Sequence, residues 1–362
     1  MSQWPEWLPL REDLAHLTPY GAPQVPADAS LNTNENPYPP SPALARAIAE
    51  RIARVSEGLN RYPDREASEL RTELANYINE ECDSEFSAAH IWAANGSNEI
   101  IQSVFLAFGR SDALGFVPSY SMHPLIAQVT GVGWHNGERN SDFSLDLEKT
   151  ITSIEAKSSP LVFITTPNNP TGSSIDIRSI ELIAKAVGKY GGLLIVDEAY
   201  AEFSSEKSAA TLLHSYPHII TIRTMSKAFA FAGARLGYMI AHPIVIDAMR
   251  IVRLPYHLSA LTQAAALTAL EYKRELLANV GALIESREKV AASLRELGLH
   301  VIPSSANFLL FTGFKKSSQE LWRAMLDEGV LIRDVGLLGH LRVTIGNEAE
   351  NQKFLSALAR HI

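Results

Sequence analysis

Cysteine is nearly absent from this sequence, since Cys82 is the only one among 362 residues. A single thiol cannot form an internal disulfide, which fits a reducing compartment such as the cytoplasm. Long apolar runs are absent as well, because none approaches the ~18 residues that a membrane span needs. Residues 1–7 contain no basic region followed by an apolar core, as a signal peptide would. We therefore expect a cytoplasmic protein that has no membrane partner.

Basic residues are in the minority, with 32 Lys and Arg against 40 Asp and Glu and a formal net charge of −8. This balance argues against a nucleic-acid or anionic-membrane partner. The 11 histidines are scattered without metal-ligand spacing. Neither a Gly-x-x-x-x-Gly-Lys loop nor a His-Glu-x-x-His motif occurs. We expect no nucleic acid and no metal, and an anionic ligand has to be met by local positive groups.

The length exceeds what one hydrophobic core usually serves, so we expect two domains. Residues 1–40 are rich in proline and predict an extended N-terminal arm. Strands and helices alternate between Ala113 and Arg223, which predicts an α/β fold around a mostly parallel sheet. We assign residues 41–260 to this large domain. Residues 261–362 mix helices with short strands and predict a smaller α+β domain, which the arm joins.

The stretch from Arg223 to Tyr238 follows a β-branched strand and contains Ser226, Lys227 and Arg235. Open α/β sheets place their ligands just past strand ends of this kind. A deprotonated lysine can form an imine with a carbonyl, and serine and arginine donate to phosphate oxygens. The three side chains therefore suit a ligand with an aldehyde and a phosphate. Taken alone, the stretch fits a solvated lysine and a surface arginine equally well.

Two further stretches favour the ligand-binding interpretation. The apolar strand from Leu193 ends abruptly at Asp197 in the sequence Asp-Glu-Ala-Tyr, and Thr165–Gly172 follows another apolar strand as Thr-Thr-Pro-Asn-Asn-Pro-Thr-Gly. In order and spacing, these motifs resemble the fold-type-I aminotransferases that depend on pyridoxal 5′-phosphate, in their histidinol-phosphate aminotransferase branch. The resemblance spans nearly the whole chain, from Leu-Thr-Pro-Tyr at residues 17–20 to Leu-Arg-Val-Thr-Ile-Gly at residues 341–346.

The resemblance implies that pyridoxal 5′-phosphate is the cofactor and that five residues surround its ring. Lys227 would bind the aldehyde and then carry a proton as general base and acid. Asp197 would face the pyridine nitrogen and keep it protonated, so that the ring acts as an electron sink. Tyr200 and Asn169 would donate to the phenolate oxygen. Tyr120 would stack on one face of the ring.

The cofactor phosphate is expected at a turn between a strand and a helix. Gly96, Ser97 and Asn98 form this turn, where free N–H groups and the helix dipole favour an anion. Ser226 and Arg235 would close the site. Without the other motifs, the same turn would be interpreted as a tight turn with a good helix cap.

Substrate recognition is less constrained by the motifs. Arg342 resembles the family arginine that binds the α-carboxylate of glutamate, and a bidentate guanidinium fits a carboxylate. Tyr20 is carried over by the resemblance, and Asn36 and Arg333 are further candidates. Asn98 stands where many relatives have aspartate, so that a neutral amide there tolerates a substrate phosphate or an aromatic ring.

The resemblance also implies a homodimer, because it places Tyr62 in the neighbouring subunit's active site, near the cofactor phosphate. The activity that it implies is the exchange of L-histidinol phosphate and 2-oxoglutarate with imidazole-acetol phosphate and glutamate, in histidine biosynthesis.

Three other functions remain open. An aromatic amino-acid aminotransferase shares almost every motif cited. A decarboxylase of a phosphorylated hydroxy-amino acid would use the same cofactor without glutamate. A non-enzymatic effector-binding module would need an attached DNA-binding domain, for which the first forty residues are too short and too rich in proline.

Overall fold

A computed structural model describes residues 4, 5 and 7–362. Met1–Gln3 and Glu6, where the expected arm begins, lie outside the described residues. The α-helices are α1 (Pro42–Ser56), α2 (Ser68–Cys82), α3 (Ser97–Phe108), α4 (Met122–Thr130), α5 (Leu147–Lys157), α6 (Ile177–Lys189), α7 (Pro243–Val252), α8 (Ala260–Glu271), α9 (Lys273–Glu296), α10 (Ser318–Asp327) and α11 (Glu348–Ala359). The strands are β1 (Ala29–Ser30), β2 (Ile91–Ala94), β3 (Ala113–Val117), β4 (Trp134–Glu138), β5 (Leu161–Thr165), β6 (Leu193–Asp197), β7 (Ile219–Thr224), β8 (Gly237–Ala241), β9 (His300–Val301), β10 (Phe308–Thr312), β11 (Val330–Leu331) and β12 (His340–Thr344).

The large sheet has seven strands in the order β2-β8-β7-β6-β5-β3-β4. Strand β8 runs antiparallel to both of its neighbours, and the pairs from β7 to β4 are parallel. The predicted α/β fold with a mostly parallel sheet is confirmed.

Both faces of this sheet are covered by helices, as a parallel sheet requires. Along β5, Leu161 and Phe163 belong to a buried cluster with apolar side chains of α3, α4 and α7. The alternate residues Val162 and Ile164 pack on the other face with side chains of α5 and α6. The strand is therefore apolar at its first four positions, and this is why apolar and polar residues do not alternate along it.

A second, smaller sheet follows near the end of the chain. Strand β10 pairs antiparallel with β12 and β9, and helices α9, α10 and α11 pack around these strands. Strand β1 of the N-terminal segment pairs in parallel with β11, with Ala29 opposite Val330 and Ser30 opposite Leu331. The division at residues 40 and 260 stays a prediction.

Local sequence signals account for several helix ends. The Ser41 hydroxyl accepts a hydrogen bond from the Leu44 backbone N–H at 3.1 Å, and Pro42 is the first helical residue of α1. Residues 262–297, whose sequence predicts one or two long helices, lie in α8 and α9, which meet at Tyr272.

Parallel strands bring their carboxyl ends to one edge of the large sheet. Thr165, Asp197 and Thr224 are the last residues of β5, β6 and β7, and Asp197 lies opposite Ile222 in the ladder. The segments after these strands therefore meet at this edge. Within the described part of the chain, no helix has the length and apolar character needed to cross a membrane.

Candidate active site

A cavity of about 630 Å³ lies at this edge of the sheet. Twelve of the residues predicted to form the site line it: Tyr20, Ser97, Asn98, Tyr120, Asn169, Asp197, Tyr200, Ser226, Lys227, Arg235, Arg333 and Arg342. They come from segments far apart in the chain, which the sheet and the N-terminal segment bring together.

The amine of Lys227 lies in the cavity wall and is held by the N-terminal segment. Its Nζ donates a hydrogen bond to the backbone carbonyl of Thr33 at 2.9 Å. Desolvation by the surrounding protein lowers the pKa of Lys227 from 10.5 to about 8, and the charges of Arg342 and Arg235 lower it further against the opposing charge of Glu35. The neutral, nucleophilic amine is therefore accessible at mildly alkaline pH.

Asp197 is a buried carboxylate with two fixed partners. Its Oδ2 lies 3.0 Å from Nε2 of His123, and its Oδ1 accepts a hydrogen bond from the Ala199 backbone N–H at 3.2 Å. His123 is buried on α4, with its ring edge-on to that of Tyr120 at a centroid distance of 5.4 Å. The imidazole fixes the direction of the carboxylate, and the sequence analysis did not identify it.

The hydroxyl of Tyr200 accepts hydrogen bonds from two amides. Asn34 Nδ2 lies at 2.8 Å and Asn169 Nδ2 at 3.5 Å, so the tyrosine's own hydrogen is available as a donor. Burial raises the pKa of Tyr200, which keeps the hydroxyl protonated. From the N-terminal segment, the sequence analysis selected Asn36, whereas the structure brings Asn34 into the cavity wall.

Arg342 is a buried arginine without a carboxylate partner in the described residues. Its Nη1 donates to Asn169 Oδ1 at 2.5 Å and its Nη2 donates to the Asn32 carbonyl at 2.7 Å, while Nε has no hydrogen-bond partner. Burial lowers the pKa of Arg342 to about 10. Arg333 is tied to it by a backbone bridge. A buried cation of this kind calls for an anionic ligand.

The start of α3 lies beside Arg235 in the cavity wall, where an anion site was predicted. No side chain caps this helix end, so its first N–H groups are free to bind a ligand. Gly96 has φ of +84°, and a Cβ there would lie 2.7 Å from Nη2 of Arg235. Ser97 and Asn98 are the first two helical residues instead of turn residues.

Ser226 lines the same cavity as the start of α3 and Arg235. Its hydroxyl oxygen accepts a hydrogen bond from Thr224 Oγ1 at 3.0 Å, which leaves its own hydrogen free to donate. Tyr120 donates to Asn98 Oδ1 at 3.2 Å and thereby links the predicted ring-stacking residue to the same helix.

Three predicted residues are not among those that line the cavity: Gly96, which lies beside Arg235 at the start of α3, and Tyr62 and Asn36. Tyr62 is 78% exposed and stacks on Tyr256, with ring centroids 4.3 Å apart. Asn36 uses its side chain locally, donating to the Ala228 carbonyl at 3.3 Å and accepting from the Tyr38 backbone N–H at 3.0 Å. Their functional roles stay predictions.

Among residues 4, 5 and 7–362, no group of three or more His, Cys, Asp or Glu side chains is arranged to hold a metal ion. The absence of a metal from the reaction stays a prediction.

Comparison with known families gives one match that covers most of the chain. The profile of the family "Aminotransferase class I and II" matches residues 28–358. Histidinol-phosphate aminotransferase from Mycobacterium sp. (strain JLS) is 51% identical over 356 residues, which are 98% of this chain and 94% of the relative. The enzyme of the same name from Corynebacterium glutamicum (strain R) is 51% identical over 358 residues, with 98% and 97% of the two chains covered.

Solved structures agree with the fold. Histidinol-phosphate aminotransferase from Sinorhizobium meliloti, in complex with pyridoxal 5′-phosphate, superposes with a TM-score of 0.82 at 25% identity, covering 92% of this chain and 91% of that one. Aspartate aminotransferase from Thermus thermophilus has a TM-score of 0.82 at 22% identity, covering 93% and 92%, and supports the fold alone.

Proposed function

We propose that this chain, which belongs to the class I and II aminotransferase family, transfers the amino group of L-histidinol phosphate to 2-oxoglutarate. The products are imidazole-acetol phosphate and glutamate, and the reaction is a step of histidine biosynthesis. The observation that carries the proposal is the cavity in which a lysine of lowered pKa, a buried carboxylate and three arginines meet. The relatives that are 51% identical over nearly the full chain support the substrate.

Pyridoxal 5′-phosphate is the cofactor, and the residues present fit it. The start of α3, Ser226 and Arg235 would hold the phosphate, because they offer free N–H, hydroxyl and guanidinium donors around a space that a Cβ on Gly96 would narrow. Asp197 would accept from the protonated pyridine nitrogen, and Tyr120 would cover one face of the ring.

Bound pyridoxal phosphate supplies the electron sink that makes the proton on the substrate's amine-bearing carbon acidic. Lys227 then moves this proton as general base and acid, a role for which a pKa of about 8 is suited near neutral pH. The Thr33 carbonyl holds the amine in the wall of the cavity.

His123 holds Asp197 in place, and Tyr200 would donate its hydroxyl hydrogen to the phenolate oxygen of the cofactor. Because both side chains are buried, neither is free to rotate to another partner. Asn34 and Asn169 orient the tyrosine hydroxyl through its lone pairs.

The anionic group of each substrate binds Arg342. Glutamate offers a carboxylate and histidinol phosphate offers a phosphate, and the unpaired Nε of Arg342 is available to either. Arg333 adds a second guanidinium in the same wall, which favours the doubly charged phosphate. Asn98 adds no negative charge that would repel it.

The enzyme acts as a homodimer whose sites are shared. Support comes from an exposed apolar patch around Tyr62 and Tyr256, which also contains Leu59, Ile251 and Leu254. Soluble monomers seldom expose such a patch without a partner. Tyr62 lies outside its own cavity and is accessible to a second copy of the chain.

The enzyme works in the cytoplasm. Its one cysteine, Cys82, is partly buried, and burial raises the pKa of this thiol to about 11, which suits a reduced, unreactive side chain.

A half-reaction titration tests the proposed substrate. L-histidinol phosphate, phenylalanine and glutamate are added separately to the cofactor-loaded protein, and the cofactor absorbance is followed. We expect fast conversion with histidinol phosphate and glutamate, and much slower conversion with phenylalanine.

The reverse order would contradict the proposal and identify an aromatic amino-acid aminotransferase. Release of carbon dioxide from a phosphorylated hydroxy-amino acid, without any need for 2-oxoglutarate, would identify a decarboxylase. If the protein showed no absorbance from bound pyridoxal phosphate, the proposed aminotransferase activity would be excluded.

A further inference from the structure

Behind the cavity lies a buried ion cluster that the proposed reaction does not use directly. Arg223, the fifth residue of β7, is wholly buried and contacts three glutamates. Its Nε donates to Glu198 at 2.8 Å, its Nη2 and Nη1 donate to the two oxygens of Glu81 at 2.6 and 3.2 Å, and Nη1 also lies 3.2 Å from Glu202.

These contacts join the two segments that carry the site. Glu198 directly follows Asp197, and Glu202 comes two residues after Tyr200. Arg223 comes three and four residues before Ser226 and Lys227, the predicted contacts to the phosphate and the aldehyde.

Backbone hydrogen bonds hold the two segments together only as far as the end of the β6–β7 ladder. The β6–β7 ladder ends with the Glu198 N–H donating to the Ile222 carbonyl at 2.9 Å. Past this bond, the first segment turns through Ala201–Phe203 and the second turns at Ser226, so side chains have to set their distance.

We propose that Arg223 is a positioning residue that fixes the Asp197–Tyr200 segment against the Ser226–Lys227 segment, with Glu81 as its anchor on α2. The proposal rests on the proposed function in assigning those four residues to the cofactor. A planar guanidinium with a rigid fork of donors can bond three carboxylates at set angles, which a lysine ammonium on a flexible stem does not do.

The cluster has more carboxyl groups than cations, so its geometry depends on every contact that Arg223 makes. One arginine faces three carboxyl groups, and Oε2 of Glu202 is buried without a hydrogen-bond partner. Burial raises the pKa of Glu202 to about 7, with Arg223 opposing the rise and Glu81 adding to it. Tyr77 and Tyr238 face the same carboxyl from α2 and β8.

Glu198 is the best satisfied member of the cluster. Besides Arg223, its carboxylate accepts from the Ala209 backbone N–H at 2.6 Å and from the Ser208 hydroxyl at 2.8 Å. Arg223 is thus attached firmly on the cavity side, and Glu81, whose side chain is 31% exposed, can be changed at the opposite end without opening the core.

The experiment compares Glu81→Gln with Glu80→Gln. Glu80 is the preceding residue of the same helix, is exposed and pairs with Lys273 at the surface, so the two variants remove equal charge from one element. Hydrogen–deuterium exchange of the cofactor-free protein is measured first. We expect faster exchange at residues 198–202 and 224–227 in Glu81→Gln and no change in Glu80→Gln.

The loaded enzymes are then compared by visible circular dichroism of the cofactor and by steady-state kinetics. In Glu81→Gln we expect an altered dichroic band and a kcat reduced on the order of tenfold, with KM unchanged because the cluster does not touch substrate. Arg223→Lys should lower kcat on the order of a hundredfold.

A lower unfolding temperature in Glu81→Gln, with exchange, dichroism and kcat equal to those of Glu80→Gln, would overturn the proposal and leave the cluster a purely structural one. The substrate assignment is tested separately. If histidinol phosphate proves not to be the substrate, the exchange and dichroism results still decide whether Arg223 positions the two segments.

Discussion

Desolvation and the guanidinium groups of Arg342 and Arg235 all lower the pKa of the Lys227 amine. The amine of Lys227 donates to the Thr33 carbonyl, and no carboxylate among residues 4, 5 and 7–362 is hydrogen-bonded to it. The lowered pKa of Lys227 therefore depends on the folded cavity wall, which desolvates the amine and in which Arg342 makes the largest charge contribution.

The pH dependence of cofactor attachment tests this arrangement. Because only the neutral amine attacks an aldehyde, the rate at which cofactor-free protein binds pyridoxal phosphate covalently should rise with pH and level off above about 8. Stopped-flow absorbance measures this rate.

Arg342→Gln and Arg342→Lys form the matched pair for that measurement. Loss of the positive charge should raise the pKa of Lys227 and move the midpoint to higher pH, whereas Arg342→Lys should leave it nearly in place. An unchanged midpoint in Arg342→Gln would show that Arg342 does not act on Lys227.

The sequence predicts those site residues that stand in a motif within or next to a strand, such as Lys227 after β7, Asp197 at the end of β6 and Arg342 in β12. It does not single out His123 or Asn34. These two reach the cavity through packing between distant segments: His123 by the seating of α4 on the sheet, and Asn34 by the pairing of β1 with β11. No local pattern records either contact.

Among the elements, the approach of β8 to the start of α3 leaves no room for a side chain. A Cβ on Gly237 would overlap the backbone nitrogen of Ser97 and lie 2.5 Å from the carbonyl carbon of Gly96. The glycine at the start of β8 therefore keeps the uncapped helix end close to Arg235.

Gly237→Ala should weaken cofactor binding by about five- to 150-fold, because β8 and the helix start have to separate, at a cost of roughly 1–3 kcal/mol. Equilibrium dialysis against pyridoxal phosphate measures the affinity.

Gly281→Ala on α9 is the control, since a Cβ there meets nothing within 4 Å and the residue does not line the cavity. Equal affinities of the two variants would contradict the steric argument. The unfolding midpoint of the cofactor-free proteins separates a local effect from a general loss of stability.

The course of the large sheet was predictable because β5 and β6 are apolar at every position but the last, α6 separates them, and β7 begins with a β-branched run. The break between α8 and α9 at Tyr272 was not, since no proline or glycine marks it. The break at Tyr272 ends the helix that packs against α1 and α2, so it reflects tertiary packing of α8 instead of a local sequence signal.

At the scale of the whole molecule, Tyr62 is held outward by its surroundings. Arg253 donates to the Arg65 carbonyl at 3.0 Å and pairs with Glu66 at 2.5 Å, and Tyr256 stacks on the ring. A rigid aromatic side chain at the surface is suited to insertion into a second copy.

Mixing Tyr62→Ala with Lys227→Ala tests whether sites are shared. Hybrid dimers would then contain one fully native site, so activity should recover to about a quarter of the native level after subunit exchange. Activity assays of the mixture, with sedimentation to confirm exchange, measure it.

Asp197→Ala mixed with Lys227→Ala is the matched control, because both residues line the same protomer's cavity and no native site can form. Recovery in this control, or none with Tyr62→Ala, would contradict a shared site.

The pairing of Ala29–Ser30 with Val330–Leu331 has a consequence for the order of synthesis. The strand that leads to Thr33 and Asn34 leaves the ribosome about 300 residues before its partner, since Ala29 pairs with Val330. At roughly 5–20 residues per second, the early strand waits on the order of 15–60 s for its pair. A nascent chain therefore completes its large sheet before Lys227 gains the carbonyl that holds it, and it remains catalytically silent until β11 has been translated.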